Sequence, residues 1–224
     1  MKTSPLIGVI GGRGGVDAST FVAALASVAG RGVLIDLDVL GGGIDVLLGI
    51  EHEPGARWSR VRIEGGRLDP VVLANGLPHW RGVSVLAADG PIPASSSVVE
   101  VLDAAALLGP VVVDIGRWLS DTHVAVAARC DLVIVIVNAD ADADADADVG
   151  GLAGARAVVS ALGEVPVGVV TRRGSVPGVE AGVLTGVPRL GELPAITCRR
   201  GSGRGRLPRS SMRVAAGVLD GLAG

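Results

Sequence analysis

The chain has 224 residues, a formal net charge of −3, and 49 % hydrophobic but only 2 % aromatic residues. That length suits one sizeable core rather than two domains, and the charge gives no global argument for nucleic acid. Mean hydropathy is +0.53, yet there is no uncharged apolar run of ~18 residues, so a membrane-spanning helix is not expected.

In chain order, the apolar run 6–10 is too short for a signal peptide and reads as a buried strand. A cytoplasmic location follows as the expectation. A glycine-rich loop covers 11–15, and a helix over 19–29 places Phe21, Leu25 and Val28 near helical spacing. A second strand over 33–36 ends at Asp36, Asp38 and the Gly41-Gly42-Gly43 turn. The stretch 49–78 is irregular and is expected to be a surface excursion. Short apolar strands follow over 83–87, 111–114, 132–137 and 165–170. Helices over 98–108, 122–129 and 152–162 lie between them, and a C-terminal helix covers 204–224. Strands alternating with helices predict an α/β three-layer sandwich, with a mostly parallel central sheet flanked by helices, as one domain over 1–224.

Asp140, Asp142, Asp144, Asp146 and Asp148 alternate with alanine. In a strand their carboxylates would share one face and could hold a divalent cation, whereas a solvated, self-repelling loop is the expected form. Cys130 and Cys198 have no nearby Cys or His and are expected to be buried thiols. His52, His79 and His123 are scattered, which suits surface or core roles. Trp58, Trp80 and Trp118 are read as packing residues or partner contacts.

The chemistry is carried by the first loop. A strand, a glycine-rich turn and a helix opening at Ser19-Thr20 form an anion site, because backbone N–H groups converge there and the helix N-terminus adds partial positive charge. Against the pattern G-x-x-x-x-G-K-[ST], Gly12 takes the first position and Arg13, Gly14, Gly15 and Val16 the variable ones. Asp17 stands where glycine is expected, Ala18 where lysine is expected, and Ser19 supplies the hydroxyl. Ala18 cannot reach the β- and γ-phosphates, and Asp17 sets a carboxylate beside a polyanion. Lys2 is the sole lysine of the chain and precedes the first strand. Arg13 is therefore the one cation in the loop, a planar fork rather than a point charge. A dinucleotide-binding fold is the rival reading: Gly12, Gly14 and Gly15 follow a strand and Asp36 ends the next one, but Asp17 occupies the place of the third glycine.

Gly12-Arg13-Gly14-Gly15-Val16-Asp17-Ala18-Ser19-Thr20 resembles the deviant Walker A motif, G-K-G-G-x-G-K-[ST]-T, of the ParA/MinD family. Val33-Leu34-Ile35-Asp36-Leu37-Asp38, followed by the glycine turn, is similar to that family's second acidic motif. Val111-Val112-Val113-Asp114 is similar to its Walker B strand, and 128–135 to the next strand with its lead-in. The stretches 11–15, 18–20 and 41–49, with Gly55-Ala56-Arg57-Trp58, look like the CpaE-like branch (also TadZ-like or septum-site-determining-like) of actinobacterial secretion and pilus loci. The resemblance covers nearly the whole chain and fades after Pro194. Many proteins of that branch carry an N-terminal receiver-like domain, which is expected to be absent here because the first strand begins at Leu6.

The resemblance implies a P-loop NTPase fold in which Gly11, Gly12, Arg13, Gly14, Gly15, Val16, Asp17, Ala18, Ser19 and Thr20 surround the phosphates of ATP. Ser19 would ligate Mg2+ and Thr20 would touch the α-phosphate. Asp36 and Asp114 would support the metal, Asp114 through water, and Asp38 would position the attacking water. Arg13 sits where the family's lysine reaches across a dimer, and Thr171-Arg172 where the family often has Asn-Arg near the base. Phosphoryl transfer relies on positioning and charge neutralisation, so a loop without lysine is expected to bind ATP and Mg2+ weakly and to hydrolyse poorly or not at all. The implied protein is a pseudo-ATPase that forms a nucleotide-dependent homodimer and positions pilus, secretion or septum machinery. The alternatives are a nucleotide-free scaffold and a Rossmann-type NAD(P)-binding protein. Val214, Val218, Leu219 and Leu222, with Arg206, Arg209 and Arg213 nearby, could lie on the inner face of the cell membrane as an interfacial helix; packing onto the domain is the expected arrangement.

Overall fold

Runs of Val, Ile and Leu without polar alternation make strands that must be covered on both faces. Among the described residues, six of these in chain order are β1 (Leu6–Gly11), β2 (Val33–Asp36), β4 (Val83–Leu86), β5 (Val111–Gly116), β6 (Leu132–Asn138) and β7 (Val167–Arg172), with the two-residue β3 (His79–Trp80) before β4 and the more polar β8 (Arg189–Leu193) after β7. They form one sheet in the order β3-β4-β2-β5-β1-β6-β7-β8, parallel throughout except that β3 runs antiparallel to β4. The computed structural model describes residues 4–12, 15–63, 67–116, 119–138, 145–172, 186–194 and 206–223.

Among the described residues the helices are α1 (Ala18–Ala29), α2 (Ile44–Leu48), α3 (Pro70–Gly76), α4 (Ser95–Ala106), α5 (Asp121–Ala127), α6 (Ala145–Leu162) and α7 (Arg209–Ala223). On one face of the sheet Ile7, Val9, Ile134 and Ile136 pack with α1 and α7. On the other, Ile10, Val113, Ile115, Val133 and Val135 pack with α3, α4, α5 and α6. Neighbouring strand residues thus feed opposite cores, as the pleat requires. The three-layer α/β architecture is the one expected. The chain leaves β1 toward β2 on one side and later places β6 on the other. The crevice for a ligand in such a sheet therefore opens at the carboxyl end of β1.

Three expectations are corrected. Ala145–Leu162 is helical, so Asp146 and Asp148 lie in a helix, neither in a strand nor in a solvated loop. Alanine is the strongest helix former. Asp140, Asp142 and Asp144 lie outside the described residues. Second, the stretch 49–78 is not a mere surface excursion. It contributes Trp58, 1 % exposed, to the core. Arg57 ties it down by an ion pair with Asp45 at 3.1 Å and by donating to the carbonyls of Ile50, Glu53 and Gly55. Third, the C-terminal helix starts at Arg209, after Pro208, rather than at 204, while it packs onto the domain as expected. Val218 is buried, and Val214, Leu219 and Leu222 pack against the core shared with α1. Among the described residues no helix is long and apolar enough to cross a membrane. Strands β3 and β8 went unexpected because the first is two residues long and the second, Arg-Leu-Gly-Glu-Leu, has little apolar content.

Helix α6 approaches the first loop through a glycine. A Cβ added at Gly154 would stand 2.5 Å from the Gly12 carbonyl oxygen, which is backbone and must move. Gly154→Ala is therefore expected to destabilise the protein by about 1–3 kcal/mol, even though alanine is the better helix former by ~1 kcal/mol. Gly217→Ala in α7, where a Cβ meets nothing within 4 Å, should be neutral or stabilising. Urea melts of the two variants test the close approach; equal stability would refute it.

Candidate functional site

The carboxyl ends of β1, β2 and β5 surround a cleft of about 440 Å³ lined by Gly11, Gly15, Val16, Asp17, Ala18, Ser19 and Thr20 from the first loop. Asp36, Asp38 and Asp114, the Gly41-Gly42-Gly43 turn and Gly116 complete it. The structure thus brings together nearly all the residues singled out from sequence. Gly12 lies beside the cleft rather than in its lining: its N–H donates to the Ile136 carbonyl at 2.9 Å, and it packs under α6. Arg13 and Gly14 lie outside the described residues.

Asp17 precedes α1 with φ 59° and ψ 35°, the left-handed conformation that normally calls for glycine. Aspartate is among the few L-residues that visit it. At this position aspartate therefore adopts a backbone course that glycine would adopt without strain. Its carboxylate lies 3.4 Å from Nη2 of Arg172 at the end of β7. The same guanidinium donates through Nη2 to the Val16 carbonyl at 3.1 Å and through Nη1 to the Pro194 carbonyl at 2.9 Å. Arg172, which stands where the resembled family often has the Arg of Asn-Arg, ties the loop to the ends of β7 and β8.

Asp36 and Asp114 are partners in register on adjacent parallel strands, each 1 % exposed. Burial, then the neighbouring Asp114 charge, pushes the Asp36 carboxyl up to about 7 from an ordinary 3.8. The rise is held back by three backbone donors: Asp38 N–H to Oδ1 at 2.9 Å, and Ile44 and Ala88 N–H to Oδ2 at 3.1 and 3.3 Å. Burial likewise raises Asp114 to about 6, opposed by hydrogen bonds from the Ser19 hydroxyl and the Gly116 N–H. Two carboxyls with raised affinity for protons, one held by the first hydroxyl of α1, form a site where a cation would replace a proton. Among the described residues no three His, Cys, Asp or Glu side chains are gathered closely enough to hold a metal by themselves. A Mg2+ here would need the Ser19 hydroxyl, water and phosphate oxygens, which is how Mg2+ is usually held beside phosphates.

Asp38 sits at the mouth, its Oδ1 accepting from Leu40 N–H at 3.1 Å. Gly116, at φ 75°, lets the β5 backbone approach it; a Cβ there would fall 2.9 Å from the Asp38 Cβ. Asp38 also borders an adjoining apolar hollow of about 310 Å³ with Leu37, Val39, Leu40, Ile115 and His123. His123 is a buried core residue that bridges two elements. Its Nδ1 accepts from the Ser120 N–H at 3.3 Å, and its Nε2, 3.2 Å from the Leu37 carbonyl, carries the proton because a carbonyl can only accept. Cys130 is buried with its thiol pushed up to about 12, the inert thiol expected; Cys198 and Trp118 lie outside the described residues. Sequence reading missed three supports of the site. The Trp58 indole N–H donates to the Asp36 carbonyl at 2.7 Å, Arg172 clamps the loop, and Gly116 admits Asp38. Only the Gly-Ala-Arg-Trp stretch carried any signal of the first.

No protein-family model matches the chain. Two uncharacterised proteins, from two strains of Mycobacterium tuberculosis, are each 41 % identical to it over 138 residues, 58 % of this chain and 38 % of theirs. The chain thus matches less than half the length of these curated relatives. Among solved structures, MinD of Aquifex aeolicus, a protein also solved as a MinC:MinD cell division complex, superposes with a TM-score of 0.71 at 17 % identity, covering 99 % of this chain and 98 % of that one. A ParA family ATPase of Chlorobium tepidum TLS gives 0.70 at 14 % identity, with 99 % and 98 % covered. The septum site-determining protein MinD of Pyrococcus horikoshii OT3, complexed with Mg-ADP, gives 0.66 at 18 %, with 98 % and 97 % covered. The fold is that of the ParA/MinD P-loop ATPases.

Proposed function

We propose that this protein is a degenerate ParA/MinD-type nucleotide-binding protein that binds Mg-ATP weakly, hydrolyses it slowly or not at all, and acts in the cytoplasm by positioning other machinery. The observation that carries this reading is the cleft itself. Its loop keeps the left-handed backbone at residue 17 and the Ser19–Asp114 hydrogen bond, while position 18 offers a methyl group in place of an ammonium. Backbone N–H groups at the start of α1 can still receive a phosphate. What is missing is the charge that stabilises phosphoryl transfer. Ser19 and Asp114 would hold Mg2+ with the phosphates, Asp36 would support it, and Asp38 would orient water. The strand order supports this reading over a dinucleotide fold, which has the order 3-2-1-4-5-6.

A homodimer formed on nucleotide and partners of the pilus, secretion or division kind are the corresponding proposals for assembly, in the manner of the CpaE-like proteins. The MinC:MinD complex among proteins of this fold supports a partner of the division kind. Isothermal titration with Mg-ATP, Mg-ADP and NAD tests the binding reading: weak heat with the adenine nucleotides and none with NAD is expected. The Asp17→Gly/Ala18→Lys variant should tighten ATP binding at least tenfold, or about 1.4 kcal/mol. Absence of any gain would sink the reading of this loop as a decayed phosphate site and leave a scaffold that keeps the fold for its surfaces.

A further inference from the structure

We infer that Arg172 is the positioning residue of the phosphate-binding loop, and that Asp17 and Arg172 together replace what a glycine at position 17 would do. The inference rests on the nucleotide-binding reading for its purpose but not for its geometry. A left-handed backbone at a non-glycine residue is disfavoured and persists where its surroundings hold it. Here the surroundings are specific. The Arg172 side chain is only 6 % exposed, whereas that of Asp17 is 46 % exposed and faces the cleft. One guanidinium nitrogen, Nη2, is shared between the Val16 carbonyl at 3.1 Å and the Asp17 carboxylate at 3.4 Å. It therefore grips the residue before the left-handed turn by its backbone and the turn residue itself by its side chain. The second nitrogen, Nη1, is anchored on the Pro194 carbonyl at 2.9 Å, beyond the end of β8. The loop is thereby braced from the far side of β6, by an element over 150 residues away in sequence (|i−j| 156).

This arrangement has two consequences for an incoming anion. The loop N–H groups of residues 15–20 are held in one conformation before anything binds, so less ordering cost falls on binding. In addition, the Asp17 carboxylate, which alone would repel phosphate, is offset by a buried cation at contact distance. Arginine suits this role and lysine does not, because the planar fork satisfies a carbonyl, a carboxylate and a second carbonyl in one fixed geometry.

Hydrogen exchange of the whole chain without nucleotide tests the clamp directly. Arg172→Gln should speed exchange in peptides covering 15–20 at least tenfold, with the amides of β5 and α4 unchanged, and Arg172→Lys should not rescue it. Asp17→Asn, at a half-exposed position that does not threaten folding, should speed the same amides. The double variant Asp17→Asn/Arg172→Gln should be no faster than Arg172→Gln alone. Unchanged exchange in 15–20 for Asp17→Asn, or additive effects of the two substitutions, would overturn the clamp even if Arg172→Gln proved unfolded. A parallel ATP titration separates the two readings. If the parent protein binds ATP, Asp17→Asn/Arg172→Gln should bind at least tenfold more weakly. If the parent does not bind ATP, the nucleotide reading falls, while the exchange data still decide the clamp.

Discussion

Trp58→Ala is expected to lower stability by about 3–5 kcal/mol, the cost of deleting a buried aromatic side chain and leaving its cavity. Trp58 is among the largest fully buried side chains of the protein, at 1 % exposure. It lies in the core with Leu37, Leu73 and Val98. Its backbone N–H donates to the Ala87 carbonyl at 3.2 Å, and its indole N–H to the Asp36 carbonyl at 2.7 Å. Truncation removes packing and also strips a buried carbonyl of its donor at the end of β2, where Asp36 must be held against Asp114. Trp58→Phe separates the two effects. It keeps most of the apolar bulk and loses only the N–H, for a cost of about 1–3 kcal/mol. Urea denaturation of both variants gives the comparison. A Trp58→Ala loss below 1 kcal/mol, against the range above, would mean that residues 49–78 are independent of the core after all.

The second large effect is a pH dependence opposite in sign to that of ordinary paired carboxylates. Asp36 and Asp114 titrate at about 7 and about 6 in the folded protein against 3.8 when unperturbed. Between these limits the folded state binds more protons than the unfolded state. Stability from this pair is therefore fully present below about pH 4 and is lost as pH rises through 6 and 7. Asp114→Asn should be more stable than the parent at pH 8, on the order of 1–3 kcal/mol, with the difference shrinking toward pH 4. Asparagine suits this position, since its amide oxygen can still accept from Gly116 N–H and its NH2 can meet the Ser19 hydroxyl. Asp36→Asn is a poorer probe. Two carboxylate oxygens there accept three backbone N–H groups, and an amide offers only one acceptor oxygen. Thermal melts from pH 4 to 8 measure the effect; an Asp114→Asn variant no more stable than the parent at pH 8 would show that burying this carboxylate beside Asp36 carries no such cost. A fold selected for stability alone would not set two buried carboxylates side by side, which supports the Mg2+ role proposed for this pair.

Most of the sheet was legible in the sequence because doubly buried parallel strands announce themselves as unbroken apolar runs, and β1, β2, β4, β5, β6 and β7 lie where those runs are, whereas β8 is too polar to show one. Element ends were less legible. Strand β7 starts two residues later than its apolar run, after Val165 has closed the turn that follows α6 by donating to Leu162. An Asp-Ala repeat suggests repulsion and places the start of α6 at 152, whereas the local preference of alanine for helix makes the described residues from Ala145 helical.

By itself the sequence determined the alternation of strands and helices, the glycine-rich loop, its lack of lysine and the acidic residues Asp36, Asp38 and Asp114. These are local or periodic features, and one stretch of chain is enough to show each. Only the tertiary structure decided what holds them. That Asp36 and Asp114 stand in register follows from β2 and β5 being neighbours. That Trp58 supports Asp36, that Gly154 admits the loop and that Arg172 grips Asp17 are contacts between segments distant along the chain. Their physical basis is burial and close approach, which have no periodic signature and come into being only when the sheet closes its order.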